Sequence, residues 1–526
     1  MSNTLKRKID AVFSKWKQGV CPGGQVAVRQ RGEIIYSSNF GYADIEHKIP
    51  VTDDTVFHVA SVSKQITVMC ILLLHEEGRL SIKDDIRKYI PELIQFSEPV
   101  TICSMMSNVS GIRDQWELLM LSGVRIADTI TQKDALNIIS KQKSLNFEPL
   151  SQYLYSNSNF TMLAEVIERV SGRMLNEFAA EKIFNPLGMK HTTYKDSYWK
   201  VIHDRANSYY DNGTGEFINC VLNYGTYGAT SLNTTAIDFL KWMDNYKNPI
   251  ICNKATLERM FSVPTLKEGA KSNYAGGLFT GEHRGHKYIE HGGADAAFRS
   301  QIMRFTEDDI DIVIFSNTQN ILLKQAAFSI ADIILGCDKD SDAVSEYYAE
   351  SFDISYASGY YAAYIPDLVM QLLEIFLVDE KPCIATQYGV APLVHISGNL
   401  YKISHLHSEV YFGEKPVIKV GENFIPLRRL YPYKPTPEKM SMYVGRYESD
   451  ELDTFYNIID EKGVMNIVHS RNGSHTLFEI EKNMFLAVNE ITFLVEFIEE
   501  SGKVSGLLLT SGRVKSILFS KTVKEK

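Results

Sequence analysis

From Ile66 to Leu74 the chain reads Ile-Thr-Val-Met-Cys-Ile-Leu-Leu-Leu, apolar on nearly every side of a helix rather than along one stripe. A helix without a polar face has to be packed inside a protein, and its apolar run from Val68 to Leu74 is far too short to cross a bilayer. The fold must be built around this element. Upstream, Thr55-Val-Phe-His-Val-Ala60 reads as a strand, so a strand-to-helix junction falls at Ser61, and Gly78 closes the helix after Glu77. Three residues on, Lys64 lies on the same helical face and would project beside Ser61 at the first turn of a buried helix.

An amine in that place loses hydration, which favours its neutral form and lets it take a proton from a serine hydroxyl. The helix N-terminus also favours negative charge developing nearby. The competing interpretation is a serine cap with a lysine that snorkels to water. Spacing does not choose between them, because Ser14/Lys17, Ser140/Lys143 and Ser197/Lys200 share it. Only the buried context sets Ser61 apart.

Two further groups have residue types that suit the same chemistry. Tyr155-Ser-Asn157 lies in a turn-rich stretch directly before the helical Phe160-Thr-Met-Leu-Ala-Glu-Val-Ile. A phenol beside a buried amine can shuttle a proton, and an adjacent amide can hold a substrate carbonyl; a loop tyrosine packed for its bulk is the plainer alternative. His291-Gly292-Gly293-Ala294 follows the strand-like Lys287-Tyr-Ile-Glu290. Paired glycines in a strand mark a close approach by a ligand or by another chain segment. With a substrate along this strand, His291 is expected to be a donor to its carboxyl or carbonyl side, and the N–H near Ala294 to point at an oxyanion. A turn with a stray histidine is the alternative.

Around these groups the chain divides. A hairpin (Gln25–Gln30, turn Arg31-Gly32, Glu33–Ser37) precedes helices over 61–77 and 159–170. Strands return at 288–291, 299–305 and 311–316, and a last helix runs from Leu322 to Leu335. This order predicts an α+β domain, an antiparallel sheet flanked by helices. A charged linker, Asp338-Lys-Asp-Ser-Asp-Ala, and a proline-rich one, Tyr431 to Pro437, then flank segments of short alternating strands that open alike, Ser358-Gly-Tyr-Tyr361 and Val444-Gly-Arg-Tyr447. They are expected to be two small all-β barrels. The domains are therefore placed at 1–336, 346–430 and 438–526.

Composition excludes other classes. A net charge of -9, with no basic stripe, gives nothing to neutralise a phosphate backbone. Seven cysteines at irregular spacing offer neither a disulfide framework nor a zinc site and suit a reducing compartment. The N-terminal stretch, with Leu5, Ile9, Val12, Phe13 and Trp16 at helical spacing, reads as an amphipathic surface helix and not as a signal peptide. A cytoplasmic protein is expected, without nucleic-acid or membrane partners, with a homodimer as the candidate assembly.

Taken together, Ser61-x-x-Lys64, Tyr155-x-Asn157 and His291-Gly-Gly resemble the serine β-lactamase and penicillin-recognising enzyme family in their order. Gly41-Tyr-Ala-Asp44, Ser110-Gly-Ile-Arg-Asp114, Phe184-Asn-Pro-Leu-Gly-Met189 and Gly228-Ala-Thr-Ser-Leu extend the likeness to its class C branch. Within that branch His-Gly-Gly in place of Lys-Thr-Gly, the stretch Asn108 to Trp116, and two terminal lipocalin-like barrels look like the D-aminopeptidases. The resemblance implies an acyl-enzyme on Ser61, proton transfer by Lys64 and Tyr155, an oxyanion hole from the N–H groups of Ser61 and Ala294, and a substrate oriented by Asn157, His291, Gly292 and Gly293. It calls for no metal or organic cofactor. Small peptides, amides or esters are the implied substrates, since a neutral imidazole is a weaker carboxylate anchor than lysine. In those enzymes a barrel loop brings an acid to the substrate amine; the matching stretch here, His469 to His475, has none. A carboxylesterase, a β-lactamase or DD-peptidase, and a non-catalytic binding protein on the same scaffold are the rivals.

Overall fold

The computed structural model describes residues 3–125, 127–212, 216–337, 357–363, 371–378, 380–386, 389–403, 408–413, 415–420, 423–488 and 492–522. The charged linker at 338–343 lies outside them. The chain forms two compact units, Met1–Ile112 with Ile126–Ser341, and Arg113–Arg125 with Asp342–Lys526.

In the first unit six strands, β1 (Gly24–Gln30), β2 (Glu33–Phe40), β3 (Phe279–His283), β4 (His286–Asp295), β5 (Phe298–Phe305) and β6 (Ile310–Ser316), form one antiparallel sheet in the order β3-β4-β5-β6-β1-β2. Helices α1 (Asn3–Val12), α2 (Lys64–Glu76), α3 (Asn157–Ser171) and α4 (Leu323–Leu335) complete the α+β architecture. The expected helix ends at Val12 and a 3₁₀ turn, Ser14–Lys17, follows, but the apolar stripe continues across the break and is buried: Ile9 of α1, Phe13 and Trp16 join Val26, Ile312 and Ile330 in one core. As its composition requires, α2 is interior, with every residue from Lys64 to Leu74 buried. Gly172, at φ +72°, gives α3 its left-handed C-cap.

The junction at Ser61 differs from the expected helix start. Ala60–Ser63 is a 3₁₀ turn, so Ser61 is not a helix cap, and Ala60 is held at φ +47°. The chain just before the turn is tied to β5, where Ser300 Oγ donates to the Val59 carbonyl at 2.8 Å. At Gly293 an added Cβ would lie 2.4 Å from that same oxygen. What approaches Gly293 is therefore the chain just before Ser61, whereas Gly292 has the Gln301 side chain of β5 at its side.

In the second unit, two closed eight-stranded barrels run from Gly359–Ala363 to Asn423–Leu430 and from Gly445–Ser449 to Val514–Lys521. Both open with one device. Gly359 (φ +144°) and Gly445 (φ +152°) take a backbone that favours glycine. Two residues on, the Tyr361 hydroxyl donates to the Ala357 carbonyl at 2.8 Å and the Tyr447 hydroxyl to the Tyr443 carbonyl at 2.6 Å.

Residues 113–125 belong to this unit. Their helix, Gln115–Leu121, is capped by Asp114, which accepts from Trp116 N at 2.9 Å. Arg113 pairs with Glu451 at 2.8 Å, and Arg513 donates to Glu117 at 2.9 Å. The Tyr456 hydroxyl reaches Leu121 O at 3.0 Å, and Asn472, in the stretch between His469 and His475, reaches Met120 O at 2.9 Å. Among the described residues no helix is long and apolar enough to cross a membrane.

Candidate active site

Lys64 is fully buried, and its Nζ lies within hydrogen-bond distance of Ala229 O at 2.7 Å, Asn157 Oδ1 at 2.9 Å and Ser61 Oγ at 3.0 Å. The two carbonyl oxygens can only accept, whereas the hydroxyl can do either. A neutral amine therefore spends its two hydrogens on Asn157 and Ala229 and turns its lone pair to the Ser61 hydroxyl. An ammonium places a third hydrogen in the same contact. One geometry serves both states, as a group that takes and returns a proton requires. The Tyr155 and Phe160 rings lie 4.8 and 5.3 Å from Nζ.

Tyr155 and Asn157 are held by the start of α3. Asn108, at φ +55°, accepts from Ser156 N at 3.1 Å and from Asn159 Nδ2 at 3.0 Å, and Ser110 Oγ donates to Asn159 Oδ1 at 2.7 Å. Half of the Asn108-Val-Ser-Gly stretch thus serves to fix the turn that carries the phenol and the amide.

Strand β3 pairs with β4 only as far as Glu290, so among the described residues the edge from His291 to Asp295 has no partner strand on that side. That stretch lies against the turn holding Ser61, and Ala294 is exposed on it.

The surroundings of His291 bear directly on the donor role expected of it. The ring is buried, Nδ1 lies 2.6 Å from Gly292 O, and Nε2 lies 3.0 Å from the Tyr274 hydroxyl. Burial, and then the charge of Lys64, push its pKa down to about 3. Because the Gly292 oxygen can only accept, Nδ1 carries the hydrogen, and Nε2 is a bare lone pair that accepts from Tyr274. In this tautomer both nitrogens are engaged within the protein.

Sequence reasoning missed Tyr274, Ala229 and a cluster beside Ser61. The Asp295 carboxylate accepts at Oδ2 from Thr230 at 3.1 Å and from Tyr224, and lies 3.1 Å from His58 Nε2. These hydrogen bonds hold its pKa below the carboxylate range despite burial. Ala229 acts through a backbone carbonyl, which no residue type announces. The Gly228-Ala-Thr-Ser-Leu stretch was the available signal.

The sheet, the helices and the partly exposed serine beside a buried lysine define a class, the serine hydrolases of β-lactamase and transpeptidase type. The chain belongs to the Beta-lactamase family, whose model matches residues 9–331. A D-aminopeptidase of Brucella anthropi is 27% identical over 449 residues, covering 84% of this chain and 82% of that protein. One from Cereibacter sphaeroides is 30% identical over 353 residues, and this chain spans 66% of its length. Among solved structures, the octameric penicillin-binding protein homologue from Pyrococcus abyssi superposes with a TM-score of 0.59 at 21% identity, covering 81% of this chain and 99% of that one.

Proposed function

We propose that this serine hydrolase is a D-aminopeptidase-like enzyme that releases N-terminal residues from small peptides and amides through an acyl-enzyme on Ser61. The observation that carries the reading is the buried Lys64 amine, bounded by two obligate acceptors and the Ser61 hydroxyl. Lys64 takes the Ser61 proton as Oγ attacks the substrate carbonyl. Tyr155, stacked by the amine, shares the transfer to the leaving amine. The N–H groups of Ser61 and Ala294 receive the oxyanion, and Asn157 orients the substrate. Water then releases the acid.

A neutral His291 where the family commonly has lysine leaves no fixed cation there for a substrate carboxylate. This supports substrates defined by their amino end over penicillins. The relatives named D-aminopeptidases agree with that choice. The domain limits 1–336, 346–430 and 438–526 belong to the same proposal, with residues 113–125 grouped with the second unit, and so does a cytoplasmic location, supported by seven free cysteines.

Hydrolysis of paired D- and L-alanine p-nitroanilides, beside a short-chain p-nitrophenyl ester, tests it. Preference for the D-amide, abolished by Ser61→Ala, is the expected result. Cleavage of the ester alone makes the protein an esterase and overturns the reading.

A further inference from the structure

Tyr274 lies outside every motif that marks the cleft, yet it touches two residues of it. It is fully buried, and its ring meets those of Tyr155 at 5.9 Å, His291 at 5.7 Å and Phe279 at 4.6 Å, all edge-on. Tyr153 packs on it at 5.8 Å. Its backbone is pinned by Ser272 Oγ, which accepts from Tyr274 N at 3.1 Å. Burial keeps the phenol protonated, its pKa well above the ordinary value. It therefore has a hydrogen to give, and His291 Nε2 lies 3.0 Å away.

We propose that Tyr274 is a positioning residue of the hydrolytic site, holding His291 as the neutral Nδ1–H tautomer and bracing the ring of Tyr155. Gly292 O fixes one end of the imidazole and the Tyr274 hydroxyl the other, so the ring can neither rotate nor exchange tautomers without losing a buried hydrogen bond. The imidazole then fills the place of the family's lysine without bringing a charge toward Lys64. Edge-to-face contact with Tyr274 sets the plane of the Tyr155 ring, and hence the direction of its hydroxyl. Both effects act through another residue, so turnover should suffer and substrate binding should not.

This rests on the hydrolytic reading of the cleft only for its kinetic part. Nitrogen-15 spectra of the full-length protein, with His291 assigned by its loss in His291→Asn, read the tautomer whether or not a substrate is known. The wild type should show a protonated Nδ1 and an unprotonated Nε2 from pH 5 to 9. Tyr274→Phe, which keeps the ring, should lose the single tautomer, lower kcat at least tenfold with KM within twofold, and add an acid limb to the pH–rate profile. A wild-type imidazole protonated at Nε2 overturns the proposal even if the variant does not fold. So does a folded Tyr274→Phe with unchanged spectra and an unchanged pH profile.

Discussion

Two of the buried cations, one taken from each unit, are held in opposite ways. Lys64 in the first unit meets two amide-type carbonyls and a hydroxyl at hydrogen-bond distance, all neutral. Arg113 in the second, equally buried, meets the carboxylate of Glu451 at 2.8 Å and two backbone carbonyls, those of Lys515 and Ser516. A guanidinium beside a carboxylate keeps its proton and fixes a shape. An amine among neutral acceptors keeps a proton it can share. The contrast separates a site built to react from a joint built to hold.

Exchanging each cation for an apolar side chain of similar length should break the two differently. Lys64→Met should lower kcat/KM by at least about 10³-fold, because Ser61 loses its proton acceptor. Stability should move little, since avoiding a dehydrated amine offsets the two carbonyls left without a donor. Arg113→Met should do the reverse. It strands Glu451 in the interior and should destabilise the second unit by about 3–5 kcal/mol. Denaturant melts followed by probes in each unit, with turnover measured on folded protein, check both. Adding Glu451→Leu to Arg113→Met should recover most of the loss, because the orphaned charge is then gone.

The units should also respond to pH with opposite slopes. His291 titrates at about 3 in the fold and near 6.5 when exposed, so its contribution is full above 6.5 and is lost as pH falls toward 3. At about 1.4 kcal/mol for each tenfold change in proton affinity, the ceiling is about 5 kcal/mol. Glu117 is pushed the other way, up to about 8, by burial and by the neighbouring Asp114, against the pull of Arg513. Its neutral form is the one the fold prefers, so that stability is full below its ordinary 4.5 and fades as pH rises through about 8. Amide hydrogen exchange, corrected for its intrinsic pH dependence, should show residues 286–295 opening more readily toward acid and residues 115–121 toward alkali.

These differences were unequally visible in the chain. The all-round apolar run after Lys64 declared a buried helix from residue types alone, while a lysine snorkelling to water stayed open until the structure placed the amine inside. Alternation and turn residues gave the hairpin of β1 and β2. The 3₁₀ turn at Ser61 left no local trace; the residues packed against its start, Ser300 and Gly293, lie more than two hundred residues on. Tyr274 was hidden for a related reason: its meaning lies in a ring seventeen residues away, across a strand boundary. Residues 113–125 begin inside a motif, Asn108 to Trp116, whose first part lies in the first unit. What places them in the second is Glu451, Tyr456, Asn472 and Arg513, all more than three hundred residues downstream.

The smallest expected effect sharpens the comparison most, because it asks whether the joint in the second unit holds a spare proton of its own. Arg513 serves two carboxyls, Glu117 at 2.9 Å and Asp114 at 3.4 Å. One negative charge suffices to neutralise it, and a second in the same buried place repels the first. Glu117→Gln keeps the shape and leaves Asp114 as the partner of Arg513. At pH 8 it should raise the stability of the second unit by about 1–2 kcal/mol, and at pH 5 it should change little. It should also flatten the alkaline rise in exchange at 115–121. Destabilisation at pH 8 would instead mean that Glu117 is ionised and that its pairing with Arg513 holds the segment. The joint would then be a network of three fixed charges, as unlike the Lys64 cleft as the structure allows.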